Sequence, residues 1–413
     1  MKTDNLIPAT VTNANNIMAL SVMRSLGRRR IPVNAFFGRN EHNSPYNMIV
    51  RHSRYIDKSY HFEESRYAEN MISLLMDTGR KSGHKSVLFP VSDQDMIIIS
   101  EHRQSLSDHY HLLMPEHEVL DTLLSKEKFY PFASVHDLPI PQTFFPSELD
   151  IVRISRTIEY PCIMKPSWRD GHWLDLFHNT KVIICCTPAE LIHNYQRLYT
   201  LGYQMLIQEI VSGDETNISC SFTYLNESSE MLGVVVCRKI RQFPKDFGNT
   251  SLAETVADQE VVELTGSICK KLKLAGYVSI EFKRDPKSNG LKIIEITPSR
   301  INRQAGLADV AGFNIPCSWY DYLANGRVSN NERYELDIRW LSEVNELRTI
   351  SSYLKNGEVT IPGLLRSYKN IRRCEVLSRD DMKPFIYLML SGLPYLFAQR
   401  QGSPSCVRHP VRS

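Results

Sequence analysis

The stretch VSIEFKRDPKSNGLKIIEITPSR, Val278 to Arg300, decides how the chain is read. Its two flanks alternate with period two and are rich in Val, Ile and Phe, and the run Asp285-Pro286-Lys287-Ser288-Asn289-Gly290 between them supplies turn residues. That pattern predicts a β-hairpin. A turn centred near Ser288 sets Glu281 opposite Glu295, Phe282 opposite Ile294 and Ile280 opposite Ile296. One face is then apolar and must lie on a core, while the other carries Ser279, Glu281, Glu295 and Thr297. Facing carboxylates repel, by up to about 1 kcal/mol when solvated and more when partly buried. A proton, a basic side chain between them or a divalent cation would relieve this, and cross-strand carboxylates suit the oxygen preference of Mg2+. An exposed hairpin with two solvated glutamates would need none of these.

The 413 residues suffice for two or three domains, and 42% hydrophobic with 23% charged residues is the composition of a globular protein. Lys plus Arg number 49 against 46 Asp plus Glu, so the net charge of +3 gives no case for nucleic acid as a partner. The nine cysteines contain no Cys-x-x-Cys pair, and Cys185-Cys186 lie adjacent in an apolar run, which argues against a disulfide framework or a zinc site. A reducing cytoplasm is the expected location. No run approaches the about 18 apolar residues of a membrane span, and the N-terminus lacks an apolar signal region. The greasy stretch from Pro384 to Ala398 is short and broken by Gly392 and Pro394, so it is expected to dock on the protein's own core rather than on a membrane surface.

The first 120 or so residues alternate strand and helix: IPATVTN, then the amphipathic NNIMALSVMRSLGRR, then IPVNAFF, followed by YAENMISLLMDTGRK, KSVLFPVSD and DQDMIIISEHRQSL. This is the pattern of an open parallel α/β sheet, in which ligands bind beyond the carboxyl ends of the strands. Asn13, Asn15, Ser92 and Asp93 are thereby placed to face a crevice, although Asp93 also suits a helix start that needs no ligand. TNANNIM lacks the glycines of a dinucleotide fingerprint, which disfavours a nicotinamide oxidoreductase. From Ser125 a second unit begins, with a helix in SKEKFYPFASVHD, a strand ending at Lys165-Pro166, and a helix opened by Thr187, Pro188 and Glu190 as a capping box. Strands QMLIQEI, ISCSFTYL and EMLGVVVCRKIRQFP and the helix DQEVVELTGSICKKLKLAG lead into the hairpin, and from about Asn325 onward the pattern reads as helices and loops.

A lysine, a strand ending in Lys-Pro, an apolar strand ending in Gln-Glu, a basic strand end and a paired-carboxylate hairpin follow one another in this order. The order resembles the ATP-grasp superfamily, and within it the carboxylate-amine ligase group that includes D-aspartate ligase. The residues that carry the resemblance are Lys126 in SKEKFYPF, Lys165 in CIMKPSW, LIQEIVSGDE at 206–215, RKIRQFPKDFG at 238–248, Glu281 in SIEFKRD and IEITPSR at 294–300, and it extends from about residue 8 to residue 325. It implies a multidomain α/β and α+β architecture: a Rossmann-like pre-ATP-grasp domain at 1–122, ATP-grasp subdomains at 123–207 and 208–325, and a C-terminal helical extension and tail at 326–413. It also implies ATP as nucleotide and Mg2+, with Mn2+ as an alternative, as metal.

The residue roles follow from the same resemblance. Lys126 and Lys165 are expected on the phosphates, the segment Gln208, Glu209 and Ile210 on the adenine edge, and Asp214 or Glu215 on the ribose. Glu281, Glu295 and Thr297 are the expected metal ligands, and Arg238, Arg241, Arg300 and Arg303 are the candidates for binding the substrate carboxylate and an acyl phosphate. The implied reaction joins a small carboxylate to an amine; a homodimer is compatible with it. Two positions depart from the pattern. Thr297 stands where the family usually has Asn, which leaves open a nucleotide-binding sensor without turnover, and PSWRDGHWLDLFHNTK has one glycine where many members have a glycine-rich loop, so Trp168, His172 and Trp173 either cover the phosphates or pack.

Overall fold

The computed structural model describes residues 6–39, 46–146, 150–167, 173, 182–328 and 333–393, and among these the chain is organised by three sheets. Trp168 and His172 lie outside the described residues, as does the end of the apolar stretch from 394 onward.

The first sheet is parallel throughout, with the strand order Lys58–Glu63, Val33–Arg39, Ala9–Val11, Ser86–Phe89, Tyr110–His111. Helix Met18–Arg28 covers it with Ala19, Leu20, Val22, Met23 and Leu26, the apolar positions of a 3.6-residue period. The chain enters the sheet at Ala9–Val11 and winds away on both sides, so the crevice where an open sheet of this type binds ligands lies between the ends of Ala9–Val11 and Ser86–Phe89.

The second sheet is small and antiparallel, ordered Thr143–Phe144, Met205–Glu209, Cys162–Pro166, Ile183–Cys185. The expected subdomain boundary between 207 and 208 falls inside the strand Met205–Glu209, with Gln208 part of this sheet. Helix Pro188–Thr200 packs on it, with Thr187 Oγ1 accepting from Glu190 N–H at 3.2 Å and the Glu190 carboxylate accepting from Cys186 N–H at 2.7 Å.

The third sheet has seven strands in the order Leu291–Pro298, Gly276–Arg284, Ile218–Leu225, Met231–Phe243, Asn249–Thr255, Arg339–Leu341, Ile371–Cys374. The hairpin forms with Glu281 facing Glu295 and Ile280 facing Ile296, as expected. A bulge after Glu281 then shifts the pairing, so Phe282 meets Ile293 rather than Ile294, and Ile293 takes the core position while Ile294 is only half-buried. The apolar face, with Val278, Ile280, Phe282, Ile293 and Ile296, packs beneath helices Lys126–Val135 and Gln259–Lys271. Gly276 opens its strand at φ +74, and a Cβ there would also stand 2.3 Å from Leu113 O of the first domain, so both the backbone and the space call for glycine.

The segment beyond 325 differs from the expected helices and loops. It contributes two short strands to the large sheet, and helix Glu343–Lys355 lies against Met231–Phe243 and Asn249–Thr255. The described part of the apolar stretch docks by one face: Leu388 and Gly392 are buried beside Ile49, and the Tyr387 ring stacks on His52.

Candidate functional site

Cross-strand register places the site. Directly opposed residues of neighbouring strands share a face, and Glu295, Glu281, Cys220 and Cys237 form one such row across the large sheet. Two residues after Cys237, Lys239 points to the same face, and its ammonium lies 3.0 Å from Oε1 and 2.9 Å from Oε2 of Glu281. Burial pulls the Lys239 ammonium down, but the charge of Glu281 outweighs it and the net direction is up. The opposed carboxylates are therefore relieved in part by a basic side chain, one of the remedies the sequence left open. Glu281 is about one-fifth exposed, whereas Glu295 is 61% exposed and opens to the crevice. Thr297, two residues on, donates from Oγ1 to Glu295 Oε1 at 3.2 Å.

Arg300 follows the hairpin through Ser299, a buried residue held at φ +55 that turns the chain back toward the site. That left-handed backbone is strained for a residue with a Cβ, by about 1 kcal/mol. The Arg300 guanidinium is 3.8 Å from Glu295 Oε1 and ion-paired to Asp93 at the crevice of the first domain. Asp93 was placed there by the strand-end rule, and the structure supplies its partner.

The lysines converge from the second sheet. Lys126 Nζ donates to Pro166 O at 3.1 Å and Lys165 Nζ to Gln208 Oε1 at 2.7 Å, so both ammoniums gather at the end of Cys162–Pro166. Gln208 passes its amide to Thr143 Oγ1 at 2.8 Å and also meets the buried Tyr130, whose hydroxyl is pushed up by burial, against the pull of the Gln208 hydrogen bond, and to a smaller degree by the charge of Glu295. Tyr130 thus lies between the lysines and the carboxylates, and sequence reasoning missed it because it sits in an ordinary amphipathic helix. The Glu209 amide donates to Gln142 O at 3.0 Å and its carboxylate is 3.9 Å from Lys292, with half-buried Ile210 next along the chain.

Several expected residues are placed elsewhere. Arg238 neighbours Lys239, so strand alternation sends it to the opposite face from Glu281, where it pairs with Glu254 at 2.5 Å; Arg339 reaches the same carboxylate at 3.0 Å. Arg241 is 2% exposed and ion-paired to the equally buried Glu346, with Ser367 Oγ at 2.9 Å, because bulges on either side of it turn it toward helix Glu343–Lys355. Arg303 grips Glu375 with two nitrogens, at 2.5 and 2.6 Å, and Tyr46 Oη at 3.1 Å. Arg241 and Arg303 thus hold the C-terminal segment in place instead of facing a substrate. Glu215 is buried under the loop that carries Asp246, whereas Asp214 is exposed, with Oδ1 accepting from Thr216 N–H at 2.8 Å. Trp173 is fully buried against Tyr203, which is packing.

Glu281, Glu295 and Thr297 offer only oxygen donors, and a carboxylate has lone pairs enough to accept from Lys239 and still coordinate a cation. That donor set fits Mg2+, with phosphate oxygens completing the shell. Among the described residues no cluster of three or more His, Cys, Asp or Glu competes with it.

Residues 125–302 match the family model of the ATP-grasp domain. The chain carries an ATP-grasp domain over those residues. It is 22% identical over 258 residues to the D-aspartate ligase of Enterococcus faecium (strain Aus0004), a match that spans 60% of this chain and 61% of that protein. Among solved structures it resembles an L-amino acid ligase from Bacillus licheniformis (TM-score 0.56, 12% identity, covering 80% of this chain and 78% of that one). It also resembles the biotin carboxylase domain of the Hydrogenobacter thermophilus 2-oxoglutarate carboxylase, solved with MgADP, ADP and bicarbonate (TM-score 0.56, 16% identity, covering 81% and 74%). At these identities the structural likenesses establish the shared fold. No helix among the described residues is long and apolar enough to cross a membrane.

Proposed function

We propose that the protein is an ATP-dependent ligase that joins a small carboxylate to an amine through an acyl phosphate, releasing ADP and phosphate. The observation that carries this reading is Tyr130, bonded to Gln208 of the lysine pair Lys126 and Lys165 and in the field of Glu295, the carboxylate that has Glu281, Thr297 and Arg300 beside it. Lys126 and Lys165 would neutralise the triphosphate as point charges, the segment Gln208, Glu209 and Ile210 would meet the adenine edge, and exposed Asp214 the ribose. Glu281, Glu295 and Thr297 would hold Mg2+, or Mn2+ in its place, which when bound neutralises charge on the β and γ phosphates.

In the first step a carboxylate oxygen attacks the γ-phosphorus and the bond to the β–γ bridging oxygen breaks, giving acyl phosphate and ADP. The amine nitrogen then adds to the acyl carbon, the carbon–oxygen bond to phosphate breaks, and the amine loses a proton. Arg300 is suited to hold the carboxylate and then the acyl phosphate, since a guanidinium fork matches planar oxyanions.

A second reading, nucleotide binding without turnover, is favoured by the grip of Lys239 on both oxygens of Glu281 and by Thr297. Both readings are tested by ADP release from purified protein with Mg-ATP and pooled amino acids and small carboxylates, with Glu295→Gln as control. Pool-dependent ADP and phosphate support the ligase. AMP would mean a different reaction, and tight nucleotide binding with no ADP from any pool supports the binder.

A further inference from the structure

The helical segment at 383–392 has two apolar faces, and one of them is uncovered. Leu388 and Gly392 face inward beside Ile49, whereas Met382, Ile386, Met389 and Leu390, at helical spacing, lie outward, with Leu390 74% exposed. Single apolar side chains on a surface are ordinary, but four in one stripe mark a place of contact. The 16 residues from Pro384 to Gln399 carry no charge and are flanked by Lys383 and Arg400. That run is too short to span a bilayer, which takes about 20 residues. From Met382 to Ser413 the sequence has Lys383, Arg400, Arg408 and Arg412 and no Asp or Glu. The surface beside the stripe is basic as well. Burial leads in lowering the His52 imidazole, which stacks on Tyr387, and the charges of Lys383 and Arg51 lower it further. The same order holds for His61 with Arg39 and Arg51, and at Arg51 itself, after burial, the repulsion of Arg39 outweighs the attraction of Glu64.

We propose that the segment at 382–393 docks the protein on an anionic lipid surface, with Ile386, Met389 and Leu390 entering the boundary of the acyl chains and Lys383 and the basic side chains around it meeting the headgroup phosphates. Charge selects this occupant. A second copy of the chain, related by a two-fold axis, would bring the same basic flank against itself. A groove on another protein would cover the stripe but leave the acid-free run that follows it without a role. An anionic bilayer answers both features, since the headgroups take the positive charge and the interface takes the apolar stripe. The segment then lies on the membrane and does not cross it, in keeping with the lack of a helix long and apolar enough to span among the described residues. The inference does not depend on the ligase reading.

Vesicle sedimentation of the full chain tests this, with phosphatidylcholine alone and with phosphatidylcholine mixed with phosphatidylglycerol, at low and high NaCl. Wild type is expected to partition onto the mixed vesicles about tenfold more than onto the neutral ones, and high salt should remove most of that difference. Met389→Asp and Leu390→Asp should each lower partition onto the mixed vesicles by about tenfold, and Lys383→Glu should weaken the preference for the anionic lipid. Thermal unfolding of the three variants should match wild type, because these side chains are exposed. No sedimentation of wild type with either vesicle, equal partition onto both, or undiminished partition of Leu390→Asp overturns the inference. A dimer in analytical ultracentrifugation that Leu390→Asp dissociates also overturns it, since a second copy then covers the stripe.

Discussion

Lys239 Nζ stands about equally far, 3.0 and 2.9 Å, from the two carboxylate oxygens of Glu281, while the facing Glu295 has its closest basic neighbour, Arg300, at 3.8 Å. The two hairpin glutamates are therefore unequal: one is held by a buried ammonium and the other is open to the crevice. Lys239→Met should leave Glu281 facing Glu295 without its cation. The expected loss of stability is about 2–3 kcal/mol, below the range for fully buried pairs because Glu281 retains some solvent. Mg2+ should then raise Tm more in the variant than in wild type, since it takes over the same charge. Equal gains in both would place the cation away from Glu281.

Glu295→Gln should abolish turnover and leave the chemical denaturation midpoint near that of wild type, because the side chain is 61% exposed. A wild-type rate in this variant would refute the metal assignment.

Lys165→Ala should raise KM for ATP at least tenfold, or about 1.4 kcal/mol of lost binding. Steady-state kinetics at saturating co-substrate measure it, and an unchanged KM would put the lysine outside the nucleotide site.

Arg241 and Glu346 are 2% and 3% exposed and join the large sheet to helix Glu343–Lys355. Glu346→Gln should cost about 3–5 kcal/mol, because it leaves a buried guanidinium unpaired. Pairing it with Arg241→Met should recover part of that loss, a non-additivity that a double-mutant cycle detects.

Asp380 accepts hydrogen bonds from Arg28, Ser378 and Tyr55, and the Arg28 guanidinium leads in holding its carboxyl far below the ordinary value of 3.8. A depressed acid contributes stability that is present above its unfolded pKa and lost as pH falls below it. Stability measured from pH 5 down to pH 3 should therefore fall more steeply in wild type than in Asp380→Asn. Parallel curves would show that the contact is solvent-averaged.

The hairpin was legible because its strands are eight and nine residues long, enough for a period-two pattern, and its turn residues are unambiguous. The bulge after Glu281 was not, since no residue type there announces it. The same holds for the arginines. Sequence reasoning counted Arg238 in RKIRQFP among the candidates, but face assignment depends on register with Cys220, and that register makes Lys239 the residue that meets Glu281. Arg241 and Arg303 were chosen for chemistry alone, and their acidic partners, Glu346 and Glu375, lie 105 and 72 residues away. The strands Arg339–Leu341 and Ile371–Cys374 are three and four residues long, too short to show alternation.

Those two short strands have a consequence for handling the molecule. They lie beyond residue 302, where the ATP-grasp match ends, yet they cap the flank of Asn249–Thr255, whose backbone would otherwise present an open ladder of donors and acceptors. A chain cut at 325 would keep every candidate ligand of nucleotide and metal and still expose a sticky border to its neighbours in solution. Residues 333–393 act as a selvedge: they keep the sheet from fraying into intermolecular pairing, and they are stitched to the large sheet through Arg241 and to Arg303, which also reaches Tyr46 of the first domain.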